Sequence, residues 1–441
     1  MPESVAQQMR EDWNRRAVED ANYYVAFGRR QQDDEEFFAT ASEQVYGLLL
    51  EIKRLPPSPA RARRALEIGC GPGRLMRPMS RHFGEIHGVD ISEEMVRLAR
   101  EKLAGVAHAH PHHAPDSDLS AFADSSFDFI YSYAVFQHIP SREVVFHYLE
   151  EACRVLKPGG ILRCQINGLP QEAPRYDTWS GVRISADEVK QFATAYGLHL
   201  LALEGIATQY MWTTLRKPGI HVSTSASMSA PVESAKLAIR RITNAHSSEP
   251  VAPIRGRFSS LSLWIEGLFP MHDLNHLHIQ VAGLPAFVSF IGHPEHDGLQ
   301  QVNLYLPEGL SSGLQPIELL VDGALAARAT VRLIPPGPPV PRVLSISDGI
   351  DLLAGSRLVT GSIKATLEEV LNPEDLRAWV GETSIEHMEY FCTDPRLPRW
   401  EVNFSVPKGL SLGASTVRMA LGSRELGSFP VELACQPVTK V

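Results

Sequence analysis

Three glycines at alternating positions, Gly69, Gly71 and Gly73, follow the apolar run Ala65-Leu66-Glu67-Ile68 and precede a helix-like segment. Glycine takes positive φ without strain and lets the backbone approach a ligand where a Cβ would collide, so a strand emptying into such a turn suits a bound cofactor. The next apolar run ends in Gly88-Val89-Asp90, and Ser92 then stands as a helix N-cap with Glu93 and Glu94 in the first turn. A carboxylate at the tip of a second strand accepts hydrogen bonds from both ribose hydroxyls of an adenosine. The chemistry on offer is the holding of an adenosine-bearing cofactor. Nicotinamide dinucleotides are the second reading: their Gly-x-Gly-x-x-Gly turn needs glycine at position 74, where this chain has Arg74 and the third glycine comes one residue early.

Metal and thiol chemistry find less support. His108-Ala109-His110-Pro111-His112-His113 looks like a metal tract, but Ala and Pro interrupt it and no ligand partner is identifiable, so it reads as a solvated loop and no metal is expected. The five cysteines, Cys70, Cys153, Cys164, Cys392 and Cys435, are odd in number and never spaced C-x-x-C. They read as reduced thiols, neither a disulfide framework nor a zinc site.

The elements that must position these residues follow from periodicity. From Ala6 to about Ile52 the pattern is helical, with Val45, Leu48, Leu49 and Ile52 at spacings of three and four, and Pro56, Pro57 and Pro59 end it. The aromatics of this segment divide between a lid over the site (Tyr23, Tyr24) and core (Phe37, Phe38), with Trp13 and Phe27 open to either. Strand-like and helix-like segments then alternate as far as Lys217: strands at Ala65–Ile68, Ile86–Asp90, Phe127–Ser132, Ile161–Ile166, Leu198–Leu203 and Gln209–Leu215, helices at Arg74–His82, Glu93–Leu103, Val144–Leu156 and Ala186–Tyr196. Such alternation implies parallel strands with crossover helices. A complete sheet closes before Lys217, so a fragment ending near Leu215 is expected to fold alone.

By these residues the chain resembles the class I S-adenosylmethionine-dependent methyltransferases, in particular their small-molecule "type 11" branch, over about Ala65 to Lys217. The resemblance implies a Rossmann-like, seven-stranded α/β domain and S-adenosylmethionine as cofactor. Glu67, Gly69, Gly71 and Gly73 reproduce the family's E-x-G-x-G-x-G turn beside the ribose and methionine, and Asp90 matches the ribose-binding acid, with Ile91 next to it. Phe127-Asp128-Phe129-Ile130-Tyr131-Ser132 matches the fourth strand, which adds Ser132 to the cofactor set, and Val135-Phe136-Gln137-His138-Ile139 matches the active-site edge. Leu156-Lys157-Pro158-Gly159-Gly160 resembles the turn before the fifth strand. The family's adenine-holding Asp or Asn falls here on Pro115, and Asp116 or Asp118 is expected to take the role after a shift. His138, at the carboxyl edge of the sheet, is the candidate general base or acceptor-orienting group, with Gln137 or Tyr133 to orient it.

Residues 218–252 shift to Ser, Ala, Thr and Pro and read as a linker with one short basic helix around Val232–Ile242. Beyond it the period is two, with frequent Gly and Pro turns. Val302-Asn303-Leu304-Tyr305-Leu306-Pro307-Glu308-Gly309-Leu310-Ser311-Ser312-Gly313 repeats as Val402-Asn403-Phe404-Ser405-Val406-Pro407-Lys408-Gly409-Leu410-Ser411-Leu412-Gly413, an offset of 403 − 303 = 100 residues. The expected order is a helical cap (1–60), the methyltransferase domain (61–217), the linker, and two all-β, immunoglobulin-like sandwich modules (253–335 and 342–441) that resemble IPT/TIG-like domains. A stiff stretch, Pro335-Pro336-Gly337-Pro338-Pro339, joins the modules. The modules are expected to be binding or spacer modules that recruit a bulky acceptor such as a glycan or protein, or that mediate dimerisation, or else passive architecture; whether exposed aromatics such as Trp379 and Trp400 lie together on one face separates the two.

The formal net charge of −9 over 441 residues argues against a nucleic-acid partner, since phosphate binding needs clustered Lys and Arg. The polar N-terminal stretch and the lack of any run of about 18 apolar residues point to a cytoplasmic protein with no membrane segment. The expected activity is methyl transfer to an O, N or C nucleophile of a small-molecule or glycan acceptor, with homodimerisation left open. The alternatives are a cofactor-binding, non-catalytic scaffold serving the β modules, or a nicotinamide-dependent oxidoreductase.

Overall fold

Short-range signals start the helices. Ser92 Oγ accepts the Met95 amide hydrogen and opens α5 (Glu93–Lys102), with Arg100 and Lys102 in its last turn complementing the dipole. Ser141 caps α6 (Arg142–Val155), and Ser185 with Glu188 forms a capping box for α7 (Ala186–Ala195). The computed structural model describes residues 5–26, 31–115, 118–170, 176–219, 237–256, 258–268, 272–350, 354–394 and 398–434. They fall into two units, Met1–Asn14 with Ala41–Gly337, and Arg15–Thr40 with Pro338–Val441. The leading helices are α1 (Val5–Ala26), α2 (Asp34–Ala39) and α3 (Ser42–Ile52); Phe37 is buried.

The N-terminal half carries a Rossmann-like α/β fold. Its strands are β1 (Arg64–Ile68), β2 (Glu85–Asp90), β3 (Ala109–His113), β4 (Phe127–Ser132), β5 (Leu156–Ile166), β6 (His199–Glu204) and β7 (Met211–Arg216), in the order β3-β2-β1-β4-β5-β7-β6 with only β7 reversed. The helix after β1 is one turn, α4 (Met76–Met79), followed by a 3-10 turn at Ser80–His82. The stretch Leu156–Gly160 is the start of β5 rather than a turn before it, with Gly159 at φ 81° and the register shifting opposite Phe127–Phe129.

The histidine tract is a strand. His110 pairs with His87 and His112 with Val89 along β2, correcting the loop reading. The His87 and His112 rings stack 5.3 Å apart, and Phe122 and Phe127 close on His87 edge-on. Imidazole faces pack there as apolar side chains do, a role their composition hides. Burial lowers His87 to a pKa of about 4, so it stays neutral.

The C-terminal region is rich in β strands. Its first part has β8 (Ala238–Asn244), β9 (Val251–Pro253), β10 (Ser260–Glu266), β11 (Leu277–Val281), β12 (Leu284–Ile291), β13 (Leu299–Tyr305), β14 (Gly313–Val321) and β15 (Ala324–Ile334). The basic helix expected around Val232–Ile242 is corrected for its described residues: β8 pairs antiparallel with β10, Ile242 opposite Leu263, so sheet replaces linker from Ala238. The second part has β16 (Arg342–Asp348), β17 (Arg357–Leu358), β18 (Ser362–Glu368), β19 (Leu376–Val380), β20 (Thr383–Ser384), β21 (Glu389–Asp394), β22 (Arg399–Ser405), β23 (Gly413–Leu421) and β24 (Arg424–Leu433).

The twelve-residue repeat marks a repeat of topology. β8-β10-β13-β12 corresponds to β16-β18-β22-β21, and β11-β14-β15-β9 to β19-β23-β24-β17, down to the parallel last pair. Trp379 and Trp400 do not share a face. Trp379 lies in one sheet under Arg418, 4.4 Å from its ring, and Trp400 in the other, donating to the Val370 carbonyl.

The first β part continues the α/β sheet. Phe290 of β12 pairs antiparallel with Ala202 of β6. The buried Asp273 carboxylate accepts the Leu200 amide hydrogen, and Leu274 donates to the Leu200 carbonyl. Just past α3, Arg54 pairs with the buried Glu51 and donates to the Ile291 carbonyl at 2.7 Å. An edge strand that would otherwise offer unpaired backbone groups is thereby covered.

Candidate active site

The glycine turn has the geometry its composition demands, with Gly69, Gly71 and Gly73 at φ of 73°, 50° and 85°. A Cβ on Gly69 would lie 2.7 Å from Val135 Cγ1 and closer still to Cγ2, so the turn is pressed against the loop after β4. The amides of Gly69 and Cys70 both donate to the Val89 carbonyl, which fastens the turn to the end of β2.

Asp90 sits at that end. Its Oδ2 accepts the Gly71 amide hydrogen and its Oδ1 the Ser92 amide hydrogen, each at 2.8 Å. Both oxygens are thus fixed by backbone donors at the end of β2, the pair of acceptors that a vicinal diol requires. Burial raises the Asp90 pKa, and the Ser92 and Gly71 amides oppose the rise. Ile91 is buried beside it, its carbonyl 3.2 Å from His113 Nε2.

The other sequence candidates lie around this centre in different ways. Glu67 is buried and accepts the Tyr131 hydroxyl hydrogen at 2.9 Å; burial pushes its pKa up to about 8 against the pull of Tyr131 and Arg74. Ser132 is buried and its hydroxyl donates to the Ile68 carbonyl, tying β4 to β1. Asp118 accepts from the Ser120 amide and hydroxyl, closing its own turn, and Asp116 lies outside the described residues.

His138 ends the 3-10 turn Phe136–His138 and is buried. Its Nδ1 lies 3.0 Å from the Trp179 carbonyl; a carbonyl only accepts, so Nδ1 carries a proton, and in the neutral ring the lone pair is on Nε2. Gln137 Nε2 stands 3.3 Å from that Nε2. Tyr133 turns elsewhere, stacked on Trp212 at 5.7 Å with Arg74 near its ring and the Gln44 amide on its hydroxyl.

Residues from two remote segments complete the arrangement. Trp13 meets the His138 ring edge-on at 5.5 Å, and Thr178 donates to Asp12 at 2.6 Å. Asn14 Oδ1 accepts from the Ser92 hydroxyl at 2.7 Å and the Glu94 amide at 3.2 Å. No motif marks Asp12, Asn14 or Thr178; the helical period of α1 and the aromatic Trp13 are the only signals there. Among the described residues no group of three His, Cys, Asp or Glu could hold a metal ion, and no helix is long and apolar enough to cross a membrane.

Residues 66–164 match the methyltransferase domain family. The matched residues carry the glycine turn, Asp90 and His138, and the cofactor of that family is S-adenosylmethionine. Over 24% of its length the chain is 31% identical to the ubiquinone biosynthesis O-methyltransferase of Sinorhizobium fredii, covering 42% of that relative. It is 27% identical to phosphoethanolamine N-methyltransferase 2 of Caenorhabditis elegans over 35% of the chain and 36% of the relative. The chain thus spans about two fifths of the length of these curated relatives. Phosphoethanolamine N-methyltransferase 1 of Haemonchus contortus, solved with phosphoethanolamine and S-adenosylhomocysteine, aligns with a TM-score of 0.38 at 12% identity over 52% of each chain.

Proposed function

We propose that the chain is an S-adenosylmethionine-dependent methyltransferase acting on an O, N or C nucleophile of a small-molecule or glycan acceptor. The observation that carries this reading is Asp90, held at the end of β2 by the Gly71 and Ser92 amides so that both carboxylate oxygens are fixed beside the glycine turn. The bound cofactor supplies an electrophilic methyl group on a sulfonium. The residues of this chain bind, orient and exclude water, which suffices for a reaction whose donor is intrinsically reactive.

In this reading Asp90 receives the ribose hydroxyls, and the positive-φ glycines bring backbone against the methionine portion. Glu67 acts through Tyr131 and Arg74 to hold the turn. Ser132 works likewise through Ile68, and Ile91 lines the adenosine side. Asp116 and Asp118 remain the candidates for adenine. His138, its tautomer set by the Trp179 carbonyl, takes the acceptor's proton at Nε2 or orients the acceptor. The repeated β parts are read as immunoglobulin-like spacer or dimerisation modules, since their tryptophans lie in different sheets. A cytoplasmic location is read from the free cysteines, three of them buried.

The test is incubation of the full chain with methyl-labelled S-adenosylmethionine and fractionated cell extract, followed by identification of the labelled product. Label transfer to a discrete small molecule or glycan is expected. Cofactor binding without transfer to any fraction would favour the non-catalytic scaffold.

A further inference from the structure

Three consecutive residues of α1 reach three different loops at the carboxyl edge of the sheet. Asp12 takes the Thr178 hydroxyl from beyond β5, Trp13 packs on His138 beyond β4, and Asn14 binds Ser92 and Glu94 beyond β2. Successive helical residues point about 100° apart, so a helix laid across the edge touches all three loops at once. Met9, buried on the same helix, belongs to the core that includes Phe136 and Val182.

The Asn14 contact is fully determined. The Glu94 amide can only donate, so the atom facing it is Oδ1; Ser92 Oγ accepts from the Met95 amide and gives its own hydrogen to the same Oδ1. Asn14 is thus a second cap on α5, supplied from another helix. Ser92 in turn gives its amide hydrogen to Asp90 Oδ1. An unbroken path runs from the ribose-binding carboxylate through Ser92 to Asn14, and the adjoining Trp13 covers His138.

We infer that Asn14 is a positioning residue that couples docking of residues 5–14 of α1 over the acceptor side to the state of the ribose-binding loop. The inference rests on the S-adenosylmethionine reading above. A ligand that holds Asp90 and its loop in place favours the docked helix, because only the ordered loop presents Ser92 Oγ and the Glu94 amide together. Acceptor and His138 are then enclosed after the cofactor has bound.

The test uses the full chain with S-adenosylhomocysteine as probe, comparing wild type, Asn14→Ala and Asn14→Asp by hydrogen exchange and calorimetry. In the wild type the probe should slow amide exchange in residues 5–14 by about tenfold, the size of a lost pair of hydrogen bonds. Asn14→Ala should lose this slowing and, because the coupling is reciprocal, bind the probe about tenfold more weakly than wild type. Asn14→Asp keeps an acceptor at the N-terminus of α5 and should restore it. Equal slowing in Asn14→Ala, bound probe without slowing in the wild type, or Asn14→Asp behaving as Asn14→Ala each overturns the inference. A wild-type chain that does not bind the probe overturns the cofactor reading, and this inference with it.

Discussion

Asp90 Oδ2 accepts the Gly71 amide hydrogen at 2.8 Å, so the carboxylate at the end of β2 and the middle of the glycine turn form one hydrogen-bonded object. On the proposed reading, Asp90→Ala removes the ribose acceptors, and it loosens the turn. Affinity for S-adenosylmethionine should fall by about 1.5–3 kcal/mol, tenfold or more. Calorimetric titration checks this, and unchanged affinity in a folded variant would remove Asp90 from the site.

Gly69→Ala should destabilise the fold by about 1–3 kcal/mol, from the φ of 73° and from the clash with Val135. The second cause is separable. Adding Val135→Ala should relieve the steric part, so the double variant melts closer to Val135→Ala alone than additivity requires. Strict additivity of the melting shifts would show that Val135 does not restrain the turn.

Glu67 supplies a pH dependence. Its folded pKa of about 8 lies above the ordinary carboxyl value of 4.5, so the unfolded chain releases this proton first. The stabilising contribution is complete below the unfolded pKa and is lost as pH rises through about 8. Glu67→Gln, which can still accept from Tyr131, should flatten the fall in stability between about pH 5 and 9 by roughly 2 kcal/mol or more. Denaturant melts of both proteins across that range give the comparison; parallel curves would mean that Glu67 is ionised throughout.

The covered edge of β6 argues against the free-standing fragment expected from sequence. A chain ending at Lys217 loses Phe290 opposite Ala202 and the Asp273 carboxylate on Leu200, and exposes a pairing edge. It should aggregate or melt about 5 °C or more below a chain ending at Gly337. Size-exclusion chromatography and thermal scans decide it; two equally stable, monodisperse fragments would contradict this account.

His138→Gln tests the proposed base. With the acceptor in hand, turnover should drop by roughly 10²–10⁴ while cofactor affinity stays nearly unchanged. Unchanged turnover with an earlier melt would assign His138 to packing between Trp13 and the Trp179 carbonyl.

What the sequence determined by itself is what a few neighbouring residues can encode. The positive φ of Gly69, Gly71 and Gly73, the Ser92 cap and the end of β2 at Asp90 are local demands of backbone geometry, and the twelve-residue repeat marks two parts of like topology. Tertiary structure decided what depends on remote partners. β3 is a strand because β2 offers it a backbone edge and His87 a face to stack on, although His and Pro give it no strand pattern. Glu67 is driven toward its neutral form by burial, and Tyr133 turns away from His138 toward Trp212. Thr178 meets Asp12 across 166 residues and Arg54 meets Ile291 across 237. Periodicity and capping act within a turn or a strand, whereas such pairings are set by which edges and faces remain uncovered once the chain has folded.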